Sequence, residues 1–158
     1  YSARTILIAT GARPFVPDVP GAELGITSNE VFHLPALPKR IVIAGAGYIA
    51  TEFAGVFHEL GVDVTVINRS DTILRGWEPA LADRLLTIST AKGISFKLNC
   101  RLERVEKTDA GLVLHFADGK RLETDVLLWA LGRVPNIEGL GLDAAGVALN
   151  EKGAIAVD

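Results

Sequence analysis

A glycine-rich turn after a short apolar run is the first stretch whose residue types and spacing suggest chemistry. Gly45, Gly47 and Ala50 follow residues 41–44 in the spacing G-x-G-x-x-A. Gly45 permits a tight turn, Gly47 has no Cβ to keep a pyrophosphate from the backbone, and Ala50 lets a helix pack closely on a strand. A helix that begins here offers free N–H groups and the positive end of its dipole to phosphate. The pattern therefore predicts a dinucleotide site.

The segments on both sides of the turn are those that such a motif requires. Residues 41–44 are apolar and partly β-branched, which predicts a strand buried on both faces. Apolar residues then recur at intervals of three and four, which predicts a helix that ends at Gly61. A second apolar run at 62–67 predicts the next strand. In this context dinucleotide binding is favoured over a tight glycine turn before an ordinary helix.

The end of the second predicted strand indicates which dinucleotide is bound. A site for NAD usually has an acidic residue here, which binds the ribose 2′-hydroxyl. This chain has the neutral Asn68, followed by Arg69 and, further along, Arg75. Guanidinium groups favour an added 2′-phosphate, because each charge-assisted hydrogen bond contributes roughly 1.5–3 kcal/mol. We expect NADP(H), although Asp71 could pair with an arginine and both arginines could be solvated loop charges.

Several segments together resemble one known family. The runs GAGYIATEFAG at 45–55, LRGWE at 74–78 and ALGRVPN at 130–136 carry the resemblance, with ILIATGARP at 6–14 and LGITS at 24–28 before them. They are similar to glutathione reductase-like pyridine nucleotide–disulfide oxidoreductases, which are FAD-dependent. The resemblance covers nearly the whole chain and implies the NADPH-binding domain of such an enzyme.

The resemblance also implies roles for particular residues. Tyr48 would cover the nicotinamide pocket and move aside when NADPH binds, and Glu52 would lie near the nicotinamide. Arg69 and Arg75 would hold the 2′-phosphate, and Arg133 would lie near the cofactor's backbone. Tyr48 could instead be a partly buried aromatic residue, Glu52 a carboxylate favoured by the helix dipole, and Arg133 a loop charge. The predicted cofactor-binding residues are Gly45, Gly47, Tyr48, Ile49, Ala50, Glu52, Asn68, Arg69, Ser70, Arg75, Gly132 and Arg133.

Other parts of the family's machinery have no counterpart in the sequence. It has no N-terminal FAD fingerprint, no C-x-x-x-x-C redox pair and no distal His–Glu pair, and its one cysteine is Cys100. A single thiol cannot form an intrachain disulfide, so we interpret Cys100 as a buried, unreactive strand residue. His33, His58 and His115 show no ligand spacing, so no metal site is predicted. We expect no catalytic residue on this chain, and we expect it to be part of a longer protein.

Composition and charge exclude several classes of function. The apolar fraction of 49% indicates a sizeable core, and the net charge of −3 argues against nucleic-acid or membrane-surface binding. The apolar runs are too short to span a bilayer. Single-cysteine usage fits a reducing compartment, so we expect a cytoplasmic protein, and the resemblance implies a homodimer for the full-length enzyme.

The predicted fold is α/β, with a Rossmann-like parallel sheet, helices and an inserted antiparallel β-meander. A second helix is expected from Pro79 to Gly93, with a third parallel strand after it. The turn at 118–119 indicates the meander. The further predicted elements are a strand at 5–9, a capping box at 27–30 before a short helix, the third parallel strand at 94–98, the meander strands at 102–107, 112–116 and 121–123, a returning strand at 126–131, and strand fragments at 147–149 and 155–157.

This organisation predicts three regions and a function. Residues 1–23 would be the end of a FAD-domain segment with its linker, 24–135 the NADP(H)-binding domain, and 136–158 the start of a following segment. By this resemblance, the full-length enzyme would be most similar to glutathione reductase. It would pass hydride from NADPH to FAD, which would be bound mostly outside this chain. Its partners would be NADPH and the FAD and interface domains of the parent chain, and the isolated chain would be inactive. Alternatives are lipoamide, trypanothione or mercuric reductase, or a non-catalytic nucleotide-sensing Rossmann module.

Overall fold

A computed structural model describes residues 2–157 of the chain. They form two compact units, one spanning Pro14–Gly132 and one made of the segments up to Arg13 and from Arg133 onward. The strands are β1 (Ala12–Pro14), β2 (Ile26–Thr27), β3 (Arg40–Ala44), β4 (Asp63–Ile67), β5 (Ser95–Lys97), β6 (Leu102–Thr108), β7 (Gly111–Phe116), β8 (Arg121–Thr124), β9 (Val126–Trp129) and β10 (Arg133–Pro135). The helices are α1 (Tyr48–Glu59) and α2 (Pro79–Lys92), with short 3-10 segments at Ala22–Leu24 and Val31–His33.

A parallel five-stranded sheet in the order β2-β9-β3-β4-β5 is the centre of the larger unit. Successive side chains of a strand point to opposite faces, so β3 sends Ile41 and Ile43 to one apolar cluster and Val42 and Ala44 to another. A strand buried on both faces has to be apolar throughout, as this one is. The predicted α/β fold class is confirmed.

The two helices cover the first of these faces. Ala50, Ala54 and Phe57 of α1 are buried in the same cluster as Ile43 and Val66 of the sheet. Helix α2 begins with Pro79 at its first turn, and Gly93 ends it in the left-handed region with φ 114°, as the sequence predicted. Helix α1 ends at Glu59, just before the predicted stop at Gly61.

The antiparallel meander β6-β7-β8 covers the opposite face. Leu114 is fully buried there, in the cluster that contains Val42 and Leu127. Trp129 of β9 also belongs to this cluster, and its indole N–H donates to the carbonyl of Ala22 at 2.8 Å. The meander predicted from the sequence is therefore present, and it packs against one face of β9.

A polar clamp ties the beginning of β3 to the beginning of β9. The Asp125 carboxylate accepts from the Arg40 backbone N–H at 2.8 Å and from the Arg40 guanidinium at 2.8 Å. The hydroxyl of the fully buried Thr124 lies within hydrogen-bond distance of two carbonyl oxygens, that of Val126 at 2.9 Å and that of Arg40 at 3.1 Å. The hydrogen bonds from Arg40 hold the pKa of Asp125 below its usual value.

The smaller unit contains β10 and the first two residues of β1, which pair in a two-stranded sheet. Arg133 donates to the carbonyl of Ala12, and Arg13 forms an ion pair with Glu138 at 2.6 Å. The hydrogen bond from Arg13 lowers the pKa of Glu138 to about 2. The predicted boundaries after residues 23 and 135 stay a prediction.

Some local predictions were wrong. Residues 5–9 form no strand, and Ile6 and Leu7 are 77% and 87% exposed, because this apolar run pairs with no strand of the described residues. The capping box, by contrast, was predicted correctly: Thr27 donates to Glu30 from its N–H and its hydroxyl, and the expected short helix through His33 is the 3-10 segment Val31–His33. The fragments at 147–149 and 155–157 make one isolated bridge, between Leu149 and Ile155. Within residues 2–157, none of the helices has the length and apolarity that crossing a bilayer requires.

The clamp predicts a pH-dependent contribution of Asp125 to stability. A carboxyl whose pKa is lowered by folding stabilises the fold above its unfolded pKa, and this contribution is lost as the pH falls through the folded value. Asp125→Asn should therefore lower the free energy of unfolding at pH 7, and the difference from wild type should shrink as the pH falls below the ordinary value of 3.8. Urea unfolding monitored by circular dichroism measures this. Asp109→Asn, in an exposed turn of the meander, is the control, and an equal effect of both variants at pH 7 would contradict the clamp.

Candidate functional site

The carboxyl ends of β3, β4 and β9 open into one cavity of about 880 Å³ in the larger unit. In an open parallel sheet, ligands bind in the crevice outside these strand ends. The volume falls within the range of cofactor sites in proteins. Its lining residues are Phe15, Pro17, Val19, Ala44, Gly45, Ala46, Gly47, Tyr48, Ile49, Ile67, Asn68, Arg69, Ser70, Thr72, Arg75, Cys100, Arg101, Leu102, Trp129, Ala130, Leu131 and Gly132.

The two glycines of the predicted motif differ in whether the fold itself requires glycine. Gly45 has φ 115°, and a Cβ there would lie 2.2 Å from the carbonyl oxygen of Ala130, so the turn itself requires glycine. Gly47 has φ −78°, which any residue adopts, and a Cβ on it would meet no atom within 4 Å. The protein therefore does not need glycine at Gly47 for its own packing. Gly47 instead lines the cavity, where such a Cβ would meet open space.

The first turn of α1 faces the cavity with its backbone donors free. No side chain caps the helix at Gly47, and its first turn carries no acidic residue. The first helical hydrogen bond runs from the Thr51 N–H to the Gly47 carbonyl, which leaves the preceding N–H groups without helical partners. Ala50 is fully buried beneath this turn, and Tyr48 is 53% exposed at the cavity wall. This arrangement can bind a phosphate group.

The segment after β4 places two arginines at the wall. The Asn68 side-chain amide donates to the Ser70 hydroxyl at 2.7 Å and to the Thr72 carbonyl at 2.9 Å. Asn68 therefore folds the loop on which Arg69 is carried. Arg69 and Arg75 are both exposed and line the cavity. Within residues 2–157, neither guanidinium makes an ion pair.

Leu74 connects the loop of Arg75 to the glycine turn. Its N–H donates to the Ala46 carbonyl at 2.7 Å, and its own φ is 50°, an uncommon value for a branched residue. Gly45 donates in turn to the Ile67 carbonyl at the end of β4, at 2.9 Å. The glycine turn and the arginine loop are thus parts of one hydrogen-bonded assembly.

Most of the predicted residues meet at the cavity, but not all. Ala50 lies buried under the helix start rather than in the wall. Glu52 is exposed and does not line the cavity. Arg133 belongs to the smaller unit, where it donates to Ala12. The predicted residues in the wall are Gly45, Gly47, Tyr48, Ile49, Asn68, Arg69, Ser70, Arg75 and Gly132.

Two further wall residues, Cys100 and Arg101, were not predicted from the sequence. They follow β5, and a strand parallel to β4 must end at the same edge of the sheet as β4 does. The parallel order was predicted, so this edge could have been searched for polar residues. Asn68 accepts a backbone hydrogen bond from Cys100 at 3.0 Å, and Ser70 accepts one from Asn99 at 3.0 Å, so the two loops run side by side.

Cys100 is not the strand residue that the sequence suggested. It lies in the loop between β5 and β6, is half-buried, and its thiol donates to the Lys97 carbonyl at 3.0 Å. Burial raises the pKa of the Cys100 thiol. The thiol therefore stays protonated at neutral pH, which disfavours nucleophilic chemistry.

The fold and the cavity define a nucleotide-binding domain of the kind found in flavoprotein reductases, which the solved structures support. An HOCl-induced flavoprotein disulfide reductase from Escherichia coli superimposes with a TM-score of 0.86 at 34% identity, over 95% of this chain and 35% of that one. An engineered water-forming NADPH oxidase, a mutant of the NADH oxidase of Lactobacillus brevis, superimposes with a TM-score of 0.80 at 29% identity, over 94% of this chain and 34% of that one.

The sequence comparisons show the family. Residues 1–158 match the family described as pyridine nucleotide-disulphide oxidoreductase, and the chain belongs to it. The glutathione reductase of Burkholderia cepacia is 46% identical over 99% of this chain and 35% of that protein. The glutathione reductase of Schizosaccharomyces pombe is 43% identical over 100% of this chain and 35% of that protein. The resemblance stated from the motifs is thereby confirmed. The chain spans about a third of the length of these relatives, and members of the family use FAD and NAD(P)H.

The contrast between the glycines predicts that binding and stability can be separated. Gly47→Ala should leave the free energy of unfolding within about 1 kcal/mol of wild type, since its backbone conformation is ordinary. If the cavity binds a dinucleotide through this turn, the variant should weaken that binding by at least about tenfold, because a methyl group here would keep a phosphate from the backbone. Calorimetric titration with NADPH and urea unfolding measure the two effects.

Two variants serve as controls for Gly47→Ala. Gly55→Ala, within α1 and with open space around the new Cβ, should bind normally and gain roughly 0.5–1 kcal/mol of stability. Gly45→Ala should lose stability as well as binding, because its Cβ meets the Ala130 carbonyl. Normal dinucleotide binding by Gly47→Ala would show that the turn does not hold the phosphates.

Proposed function

We propose that this cavity binds NADPH and that the chain is the NADPH-binding domain of a FAD-dependent disulfide reductase related to glutathione reductase. The observation that carries the proposal is a pair of exposed arginines without ion-pair partners among residues 2–157, Arg69 and Arg75, at the end of β4. Asn68 stands where an acid would bind the 2′-hydroxyl of NAD, and its side chain is already used in folding the loop.

The engineered NADPH oxidase gives independent support for the choice of coenzyme. It carries five substitutions relative to the NADH oxidase: Gly to Ala, Asp to Ala, Ala to Arg, Met to Ser and Pro to Arg. Their spacing along that chain equals the spacing of Ala50, Asn68, Arg69, Ser70 and Arg75 here. At four of the five positions this chain has the residue of the NADPH-bound variant, and at Asn68 it lacks the acid that was removed.

Each part of the cavity has a role in this proposal. The free N–H groups at the start of α1, in front of Gly47, hold the pyrophosphate. Arg69 and Arg75 hold the 2′-phosphate with charge-assisted hydrogen bonds. The exposed ring of Tyr48 lies at the nicotinamide end, which the carboxyl end of β9 and Gly132 complete. Glu52 and Arg133 are proposed to act only with the rest of the parent protein, since neither lies in this wall.

The activity of the whole protein is a proposal that extends beyond this chain. NADPH supplies hydride to FAD, and the electrons then pass to a disulfide on other parts of the enzyme. This chain binds the coenzyme and sets its identity, and it contains no redox cysteine pair. We propose oxidised glutathione as the final acceptor, a cytoplasmic location and a homodimer for the full-length enzyme.

The proposed coenzyme choice predicts the behaviour of the double variant Arg69→Ala/Arg75→Ala. Wild type should bind NADPH on the order of a hundredfold more tightly than NADH, because two charge-assisted hydrogen bonds reach only the 2′-phosphate. The double variant should remove most of this preference and leave NADH binding within about twofold. Isothermal titration calorimetry at fixed salt measures both Kd values.

A control for lost positive charge is Arg84→Ala/Arg121→Ala, at exposed positions outside the cavity wall. It should retain the NADPH preference of wild type. Tighter binding of NADH than NADPH by wild type would refute the proposed coenzyme and favour an NAD-linked member of the family.

A further inference from the structure

Arg101 is held by its backbone beside the loop that carries Arg69. The two residues before it, Asn99 and Cys100, donate to the Ser70 and Asn68 carbonyls, each at 3.0 Å. On its other side, the Arg101 carbonyl accepts from the Ala117 N–H of the meander at 2.9 Å. The position of Arg101 is therefore fixed from two directions.

The side chain of Arg101 is exposed and available to a ligand. It lines the same cavity as Arg69 and Arg75. Between residues 2 and 157, it makes no side-chain hydrogen bond and no ion pair, whereas Arg13, Arg40 and Arg104 each pair with a carboxylate. The Asp118 carboxylate, which is close enough to Cys100 to affect its pKa, forms an ion pair with Lys120 at 2.7 Å.

Three guanidinium groups thus share one cavity of a protein whose net charge is −3. Like charges placed together without counter-ions repel one another, so the arrangement suits a ligand that brings negative charge. Guanidinium groups bind phosphate oxygens in paired hydrogen bonds, and several of them can share one phosphate. Arg101 follows β5, which pairs in parallel with β4. Arg101 and Arg69 therefore lie beyond the same edge of the sheet, where the carboxyl ends of the two strands meet.

We propose that Arg101 is a third determinant of coenzyme choice, whose guanidinium binds the 2′-phosphate of NADPH together with Arg69 and Arg75. This inference rests on the proposed NADPH function and extends it to a residue outside the arginine loop. It also gives the meander a part in the site, because Ala117 of the meander holds the Arg101 backbone.

The test is calorimetry on the 158-residue chain with the variants Arg101→Gln and Arg101→Lys, titrated with NADPH and NADH. Adenosine 2′,5′-bisphosphate and 5′-AMP are added as probes, because they differ only in the 2′-phosphate. Arg101→Gln should weaken the binding of NADPH and of the bisphosphate by about tenfold, as expected for loss of one charge-assisted hydrogen bond. It should leave NADH and 5′-AMP within about twofold, and Arg101→Lys should recover part of the loss.

Arg121→Gln is the matched control, since it removes an exposed arginine of the meander that does not line the cavity. It should change none of the four affinities by more than about twofold. Circular dichroism of each variant shows that the fold is retained.

The possible results separate this inference from the proposed function. Equal weakening of NADPH and NADH by Arg101→Gln would place its guanidinium on a shared part of the coenzyme, such as the adenine ring, and would overturn the inference alone. An unchanged NADPH affinity in Arg101→Gln, while wild type prefers NADPH to NADH, would also overturn the inference alone. A wild-type chain without any NADPH preference would overturn the proposed function and this inference together.

Discussion

The conformation of Gly45 is the constraint on which the site depends. Its φ of 115° and its contact with the Ala130 carbonyl allow the chain to leave β3, pass the end of β9 and enter α1 within a few residues. Any side chain here would separate these elements. Because the turn is so tight, the free N–H groups of α1 lie at the carboxyl edge of the sheet, next to the ends of β4 and β9.

The rest of the cavity is built onto this turn by backbone hydrogen bonds. Leu74 donates to the Ala46 carbonyl and so holds the arginine loop beside the glycine turn, and the loop after β5 donates to the Asn68 and Ser70 carbonyls. These contacts use backbone atoms and the Asn68 amide, which leaves the arginine side chains free for a ligand. The apolar clusters on the two faces of the sheet keep the strand ends in register beneath them.

Much of the fold could be predicted because its signals are local. The apolar run of β3, the spacing of the α1 side chains and the stop at Gly93 each report the structure of their own segment. The strand predicted at residues 5–9 was wrong because an apolar run forms a strand only where a partner strand exists. Arg101 was missed because its relation to Arg69 comes from the pairing of β4 with β5, which is not visible as a spacing in the sequence.

A crystal structure of the chain with NADPH would show where each part of the coenzyme binds. We expect the pyrophosphate at the N–H groups of α1 in front of Gly47, the 2′-phosphate among Arg69, Arg75 and Arg101, and the nicotinamide beside Tyr48. NADPH bound in the opposite direction, with its 2′-phosphate at the end of β9, would contradict the proposed site. So would NADPH bound at a surface that excludes Gly47 and Arg69.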